Sequence, residues 1–560
     1  MNQKKERQAM QHKAVRLIGA LSLGLGLILA LMGLLGADLP IARAAWHISP
    51  HDGPRHFLMG SFADITLAGA TPMATCTVDN EGGADYTTIQ DAVDDGTCTT
   101  IHVAAGEYEE NVVITRSLTL VGAGTDDTWI GYQGRVFSIE DDVHVSISDV
   151  VIHGVYDTQD GTGVYNQGTL TLTNVLIDGN ESSGDGGGVY NYGTLTVLSS
   201  TISGGLAEYG GGIYHCAPST SKAMTILNTT ISDNHADHGG GVYNCSNRLA
   251  TIQQSLISEN SADYTGGGVA NYGAMTIDGC QVLTNTASEP GLAAGRGAGI
   301  WNNDELEITD SVIRGNASGY YGGGIYVYFD GVLSMEDSTV TANSATDLGG
   351  GVMGDASGSR EAEITIARCQ VSSNTASYGG GLNSNGLLII EGSAIFNNTA
   401  ETHGGGIRHS GTLSLTNVTL SGNATDGSGG GLYIGGASTD LDSVTVAANT
   451  ADADADDNGD GGGIYLASGS ADVRNTLIGE NHDQSPTTVH PDCSGSFTTH
   501  GYNLVRDNTG CSGFVSVYDQ VGTSGSLLEP YLTPLGDYGG DTLVYALRYR
   551  WPKNASRTGL

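Results

Sequence analysis

An all-β parallel β-helix solenoid with three short strands per coil is the fold class that this 560-residue sequence predicts. Three observations carry it: a glycine landmark recurs every 24–32 residues, short period-two apolar runs lie between the landmarks, and no helical period long enough for a crossover helix separates them. Composition agrees with them. Glycine accounts for 86 residues without a collagen triplet, hydrophobic residues make up 39 % and charged residues only 15 %, which suits regular β structure rather than a solvated polyampholyte. With 61 acidic against 22 basic residues the formal charge is −39, and a nucleic-acid partner is excluded because binding one needs a basic surface.

The first 44 residues differ from the rest. Lys4, Lys5, Arg7, Lys13 and Arg16 precede an uncharged apolar run from Leu17 to Gly36, and Ala42-Arg43-Ala44 then offers a signal-peptidase site. Two readings stand for residues 1–44: a cleaved signal peptide, or an uncleaved anchor, since the run is long enough to span a bilayer. Either way the chain is expected to be exported, to a secreted or cell-surface location, and any membrane association would pass only through this segment. The part after residue 44 holds 59 acids and 16 bases, with Lys222 and Lys553 its only lysines. Residues 45–75 read as a flexible linker.

A Gly-x-Gly unit followed by an apolar residue begins at positions 161, 186, 210, 239, 266, 297, 322, 349, 379, 404, 429 and 461. An asparagine precedes most copies by five or six residues, as at Asn180, Asn234, Asn260, Asn316, Asn343, Asn374, Asn398 and Asn423; at Asn285 and Asn449 the gap is twelve, which marks insertions. Each repeat offers one strand after the glycines, as in Gly188-Val189-Tyr190, and two before the asparagine, as in Leu170-Thr171-Leu172 and Val175-Leu176-Ile177. Such coils stack at about 4.8 Å per turn, with Val, Ile and Leu inward and glycine at the tight corners. Tyr165, Tyr190, Tyr214, Tyr243, Trp301, Tyr326, Tyr433 and Tyr465 follow the apolar position and predict an outward aromatic stack. Packing between like residues on neighbouring strands accounts for it, and sugar binding on the ring faces is the alternative. Asn166, Asn191, Asn244, Asn271 and Asn302 come next and predict an amide ladder.

These Gly-Gly-[Gly/Ala]-[Ile/Val/Leu] units, paired with a strand ending in Asn, resemble the repeats of right-handed parallel β-helix surface proteins, including the polymorphic outer membrane protein type, within the pectin-lyase-like architecture. The resemblance covers residues 161 to about 481 and implies a right-handed solenoid. Tyr86-Thr87-Thr88-Ile89-Gln90-Asp91-Ala92-Val93, Ile101-His102-Val103, Gly106-Glu107-Tyr108-Glu109-Glu110 and Leu118-Thr119-Leu120-Val121-Gly122 are similar to the start of these folds, where a short helix caps the first coil. Ile89, Ala92 and Val93 would share one face of that helix and plug the open core. The expected solenoid therefore runs over 76–480, with cap and first coils at 76–160 and repeats at 161–480. Asn475-Thr476-Leu477-Ile478, Gly501-Tyr502-Asn503-Leu504 and Leu535-Gly536-Asp537-Tyr538-Gly539-Gly540-Asp541-Thr542 are similar to the C-terminal module of choice-of-anchor secreted bacterial proteins, which gives a capping module at 481–547 and a divergent basic tail at 548–560.

Eight cysteines in an exported chain permit disulfides. Cys216 and Cys245 share a register one coil apart and should pair; Cys76 with Cys98 would staple the N-terminal cap and Cys493 with Cys511 the C-terminal loop. Cys280 and Cys369 share another register but lie three coils apart, about 14 Å, and should stay reduced.

No catalytic residue is assigned. Gly106, Tyr108 and Glu110 match the G-x-Y-x-E of pectin methylesterases, but the same residues belong to the first coils, and the other methylesterase, polygalacturonase and lyase motifs are missing from the sequence. His235 with His238, and His403 with His409, flank glycine corners without an evident further ligand. No cofactor is required by any motif; calcium is the one candidate. Asp454, Asp456 and Asn458 stand at positions 1, 3 and 5 of an EF-hand-like start with Gly459 at position 6. Position 12 is Tyr465 instead of Glu, so Asp452, Asp460, a carbonyl or water would complete a weak site, and a solvated acidic loop is the competing reading. The function these readings favour is an exported, non-catalytic structural or adhesive rod that binds polysaccharide or cell-surface components. The alternative is a diverged carbohydrate-active enzyme, a polysaccharide lyase or glycoside hydrolase, whose mark would be a carboxylate pair on adjacent coils with an arginine nearby.

Overall fold

The computed structural model describes residues 74–288, 295–540 and 542–547. The expectations for residues 1–44, for nearly all of the linker and for the basic tail lie outside these residues. From Ala74 onward the backbone winds a right-handed parallel β-helix of about 16 turns.

Neighbouring coils pair in parallel and in phase: Val164 with Val189, Leu170 with Leu195, Ile177 with Ile202. Three sheets run along the solenoid, one more finely divided than the sequence suggests. The strand after the glycines (Val164–Asn166) and the next (Thr169–Thr173) belong to the same 31-stranded sheet, bent at residues 167 and 168; Leu176–Asp178 lies in the second sheet. A third, 11-stranded sheet starts at Leu206–Tyr209 and runs just ahead of the glycines. The column of Val164, Val189, Ile213 and Val242 is fully buried, as is that of Ile177, Ile202, Ile231 and Ile257. Each such side chain contributes about 1.5–3 kcal/mol of burial.

From Gly161 to Glu480 each coil turns three corners on one left-handed residue apiece, for example Gly161 (φ 67°), Asn174 (φ 51°) and Gly179 (φ 64°). Two of these corners accept Asn, Asp, Ser or other residues, whereas the glycine corner does not. A Cβ on Gly240 would stand 2.1 Å from the Ser261 carbonyl oxygen of the next coil, while one on Gly279 would meet nothing nearer than 3.6 Å. Close approach of successive backbones, and not φ alone, explains why the glycine landmark is so regular.

The N-terminal plug is helix α1, Ile89–Asp94, with Ile89, Ala92 and Val93 buried as expected. Its first N–H groups are satisfied from outside the helix: Glu110 accepts from the Ile89 and Gln90 amides at 2.9 and 3.0 Å, and Thr88 caps Asp91. Arg116 closes the other end by donating to the carbonyls of Ala92, Val93 and Asp95. At the far end the coils continue in parallel register through Leu504–Val505 to Gln520–Val521. Residues 532–547 then fold back as a strap, closed on itself by antiparallel pairing of Leu532 with Leu547 and Gly536 with Val544. Thr542 donates to the Gly392 carbonyl, and the Tyr545 and Ser421 hydroxyls lie 2.6 Å apart.

All three expected disulfides form, Cys76–Cys98, Cys216–Cys245 and Cys493–Cys511, and Cys280 and Cys369 are free and buried.

Candidate functional site

The side chains that flank the glycine corner form the most chemically varied face of the solenoid. After the glycines, Tyr165, Tyr190, Tyr214 and Tyr243 stack with ring centroids 5.0–5.4 Å apart. The column is not a simple register of one position. Ala270 occupies the next place, and Tyr272, two residues on in the same coil, fills the gap and passes the stack to Trp301 and Tyr328. Trp301 and Tyr326 are buried under this cluster, contrary to an outward stack throughout. In the Tyr165–Tyr243 stretch each ring covers its neighbour's face, so what the column offers to a ligand is ring edges and hydroxyls.

Just ahead of the glycines, Asp160 and Asp185 occupy equivalent places on adjacent coils. The Asp160 carboxylate accepts from the Asp185 amide at 3.0 Å. Burial, then the charges of Asp160 and Glu208, push Asp185 up to about 6, with a hydrogen bond from Tyr214 opposing the shift. Beyond them Tyr209 stacks on His238 at 5.1 Å.

A cavity of about 320 Å³ opens at the N-terminal end of this face, lined by Asn111, Tyr132, Gln133, Arg135, Asp157 and Gln159 among others. Arg135 joins it to the tyrosine column: its guanidinium lies 4.2 Å from the Tyr165 ring centroid, and Nε and Nη2 both donate to the Asp160 carbonyl oxygen. Asp157 is fixed by accepting from the Arg135 and Gln159 amides. Sequence reading missed this group because its members come from coils ahead of residue 161, where the glycine landmark is absent. The Asp160 and Asp185 pair could have been found, since each immediately precedes a landmark glycine.

The acidic insertion makes a second cluster on the same corner, ten coils on. Asp452, Asp454 and Asp456 bring ligand oxygens within 4.8 Å of one another. Asp452 is buried and accepts from the Asp456 and Asp457 amides. Asn458 turns its amide nitrogen to Asp456, and Asp460 engages His490 and Ser494 instead of the cluster. Neighbouring Asp426 is pushed up by burial and then by the charge of Asp454.

The remaining candidates do not assemble a site. His235 and His238 bond to Ser261 and Thr265, and His403 lies on the outer corner while His409 is buried inside the coil, so neither pair converges. Glu110 of the G-x-Y-x-E match is occupied as the cap of α1, and Tyr108 is buried with its hydroxyl on the Ala104 carbonyl.

The sequence profile of the right-handed beta-helix region family matches residues 296–510. The chain is a right-handed β-helix repeat protein. Among solved structures this β-helix protein is similar to the catalytic domain of a GH87 alpha-1,3-glucanase in complex with tetrasaccharides (14 % identity, 78 % of this chain and 70 % of that one, TM-score 0.31). It is also similar to the A-module of the mannuronan C-5 epimerase AlgE6 of Azotobacter vinelandii (13 %, 73 % and 93 %, TM-score 0.32). A third is the pectin methylesterase of Aspergillus niger (18 %, 48 % and 86 %, TM-score 0.24). These likenesses are to the fold. No curated protein matches the sequence.

Proposed function

We propose that the protein is an exported β-helix rod that binds polysaccharide along its glycine-corner face. The observation that carries the reading is the run of phenols and carboxylates, one coil apart, beside the glycine corner. Tyr190 and Tyr214 present hydroxyl-bearing ring edges there, with Asp160, Asp185 and Glu208 as acceptors. Three disulfides suit an oxidising, extracellular setting. Affinity electrophoresis through gels containing β-glucan, mannan, xylan or pectin tests it. Retardation by at least one polymer is expected, and a Tyr190→Phe/Tyr214→Phe variant, which keeps the stack and loses the hydroxyls, should be retarded several-fold less; migration unchanged by every polymer would reject the reading.

The raised Asp185 beside Asp160 favours a second reading, glycoside hydrolysis, in which Asp185 acts as general acid. Reducing ends should then appear with an optimum near pH 6 and vanish in Asp185→Asn. Calcium at Asp452, Asp454 and Asp456 belongs to the proposal as a structural ion that orders the corner and relieves crowded charge.

A further inference from the structure

We infer that the cavity beside Arg135 is a discrete subsite for a single uncharged sugar residue of the bound glycan. The inference rests on the glycan-binding reading of the adjoining face and adds the class of unit recognised at its end.

The chemistry of the lining points to a sugar. Arg135 is held in place by stacking on Tyr165 and by two bonds to one carbonyl oxygen, and its Nη1 has no hydrogen-bond partner among the described residues. Asp157 is pinned beside it by two backbone amides. A rigid guanidinium next to a rigid carboxylate supplies donors for one oxygen of a vicinal diol and an acceptor for the hydroxyl proton of the other. Asn111, Gln133 and Gln159 add amides, which both donate and accept. Tyr132, 40 % exposed, stands at the rim as an aromatic side chain on which a sugar ring can pack.

Charge and size narrow the class. Asp157, Asp160 and Glu140 surround Arg135, so its positive charge is outnumbered locally as well as across the chain. A uronate or sulfated sugar would meet net repulsion, whereas a neutral hexose would not. A cavity of about 320 Å³ is at the small end of ligand sites, which suits a single ring rather than a chain threaded through it.

Titration calorimetry of the full chain with cello-, malto-, laminari- and mannotetraose, and with tetragalacturonate as the charged control, tests the assignment. At least one neutral tetraose should bind while tetragalacturonate does not. Arg135→Ala and Tyr132→Ala should each weaken binding at least tenfold, and Tyr132→Phe should retain it; unchanged melting temperatures would show that the half-exposed Tyr132 variants fold. Binding of no neutral tetraose, equal binding in Tyr132→Ala, or tighter binding of tetragalacturonate would overturn the subsite. If polymer retardation nevertheless persists and depends on Tyr190 and Tyr214, the face still binds glycan and only the subsite falls; loss of both would remove the face reading as well.

Discussion

Two side-chain ladders run through the interior, and both hand a backbone N–H of one coil to a side-chain acceptor of the next. One consists of the landmark asparagines: Asn234, Asn260, Asn285 and Asn316 each accept from the residue one coil earlier at 2.9–3.1 Å, onward to Asn481. The other alternates Ser, Thr and Cys, through Ser255, Cys280, Ser311, Ser338, Cys369 and Ser393. Cys280 and Cys369 are therefore acceptors standing where other coils use serine, which explains their burial and separation. The asparagine ladder ends in Asp492; the other is interrupted at Val418 and Val444, restarts at Thr476 and Asn503 and ends in Asp519, and an aspartate accepts without needing a further coil to accept from it. The predicted amide ladder also forms, from Asn166 to Asn191 and from Asn244 through Asn271 to Asn302, with His215 in the missing place at 2.8 Å from Asn191. Burial holds His215 down to about 4. A histidine depressed in the folded state contributes stability above its unfolded value near 6.5 that is lost as pH falls toward 4. Asp185 and Asp492, both raised to about 6, act in the opposite sense: their contribution is present below 3.8 and is lost as pH rises through 6. His215→Asn should restore the amide series and remove one share of the acid loss. Denaturant titrations at pH 6.5 and 4.5 should show the variant losing less stability than the parent, by about 2 kcal/mol; an equal loss would contradict the assignment.

At the scale of elements, strands were the easiest to read because each buries one face and alternates strictly, as in Thr169–Thr173. Alternation fixes which residues point inward but says nothing of the bend that puts two strands in one sheet. The helical plug was readable from Ile89, Ala92 and Val93, while its caps, Glu110 and Arg116, lie some twenty residues away and are brought to it only by the coil. The acidic corner shows the same division. Spacing singles out Asp454 and Asp456; buried Asp452, the third carboxylate of the cluster, is placed by the backbone amides from which it accepts, a geometry that an EF-hand register does not contain. Calorimetry should detect calcium uptake with a dissociation constant of about 0.1–1 mM. The Asp454→Ala/Asp456→Ala variant should bind at least several-fold more weakly, and no uptake by the parent would remove calcium from the proposal.

Across the whole described solenoid, repeat phase was legible because every coil has the same mechanical task, and the groups lining the N-terminal cavity were not, because Arg135, Asp157 and Tyr132 follow no period. About 16 turns at about 4.8 Å make a body roughly 75 Å long in which strand pairing joins each coil only to its neighbours, and Lys222 reaches back along the surface to Asp141 and to the Gln167 carbonyl. The strap makes a longer reach. It leaves the last coils and binds at Ser421 and Gly392, three and four coils before that of Val505. A rod tugged from its C-terminal side would otherwise unzip from the final strand, one short ladder at a time. With the strap in place, tension reaches the coils of Gly392 and Ser421 first, and the last coils stay slack behind them until Tyr545 and Thr542 let go. Single-molecule stretching should accordingly begin with one rupture that Thr542→Ala/Tyr545→Phe lowers, ahead of the coil-by-coil steps; an initial rupture insensitive to that variant would show that the load runs through the last coil after all.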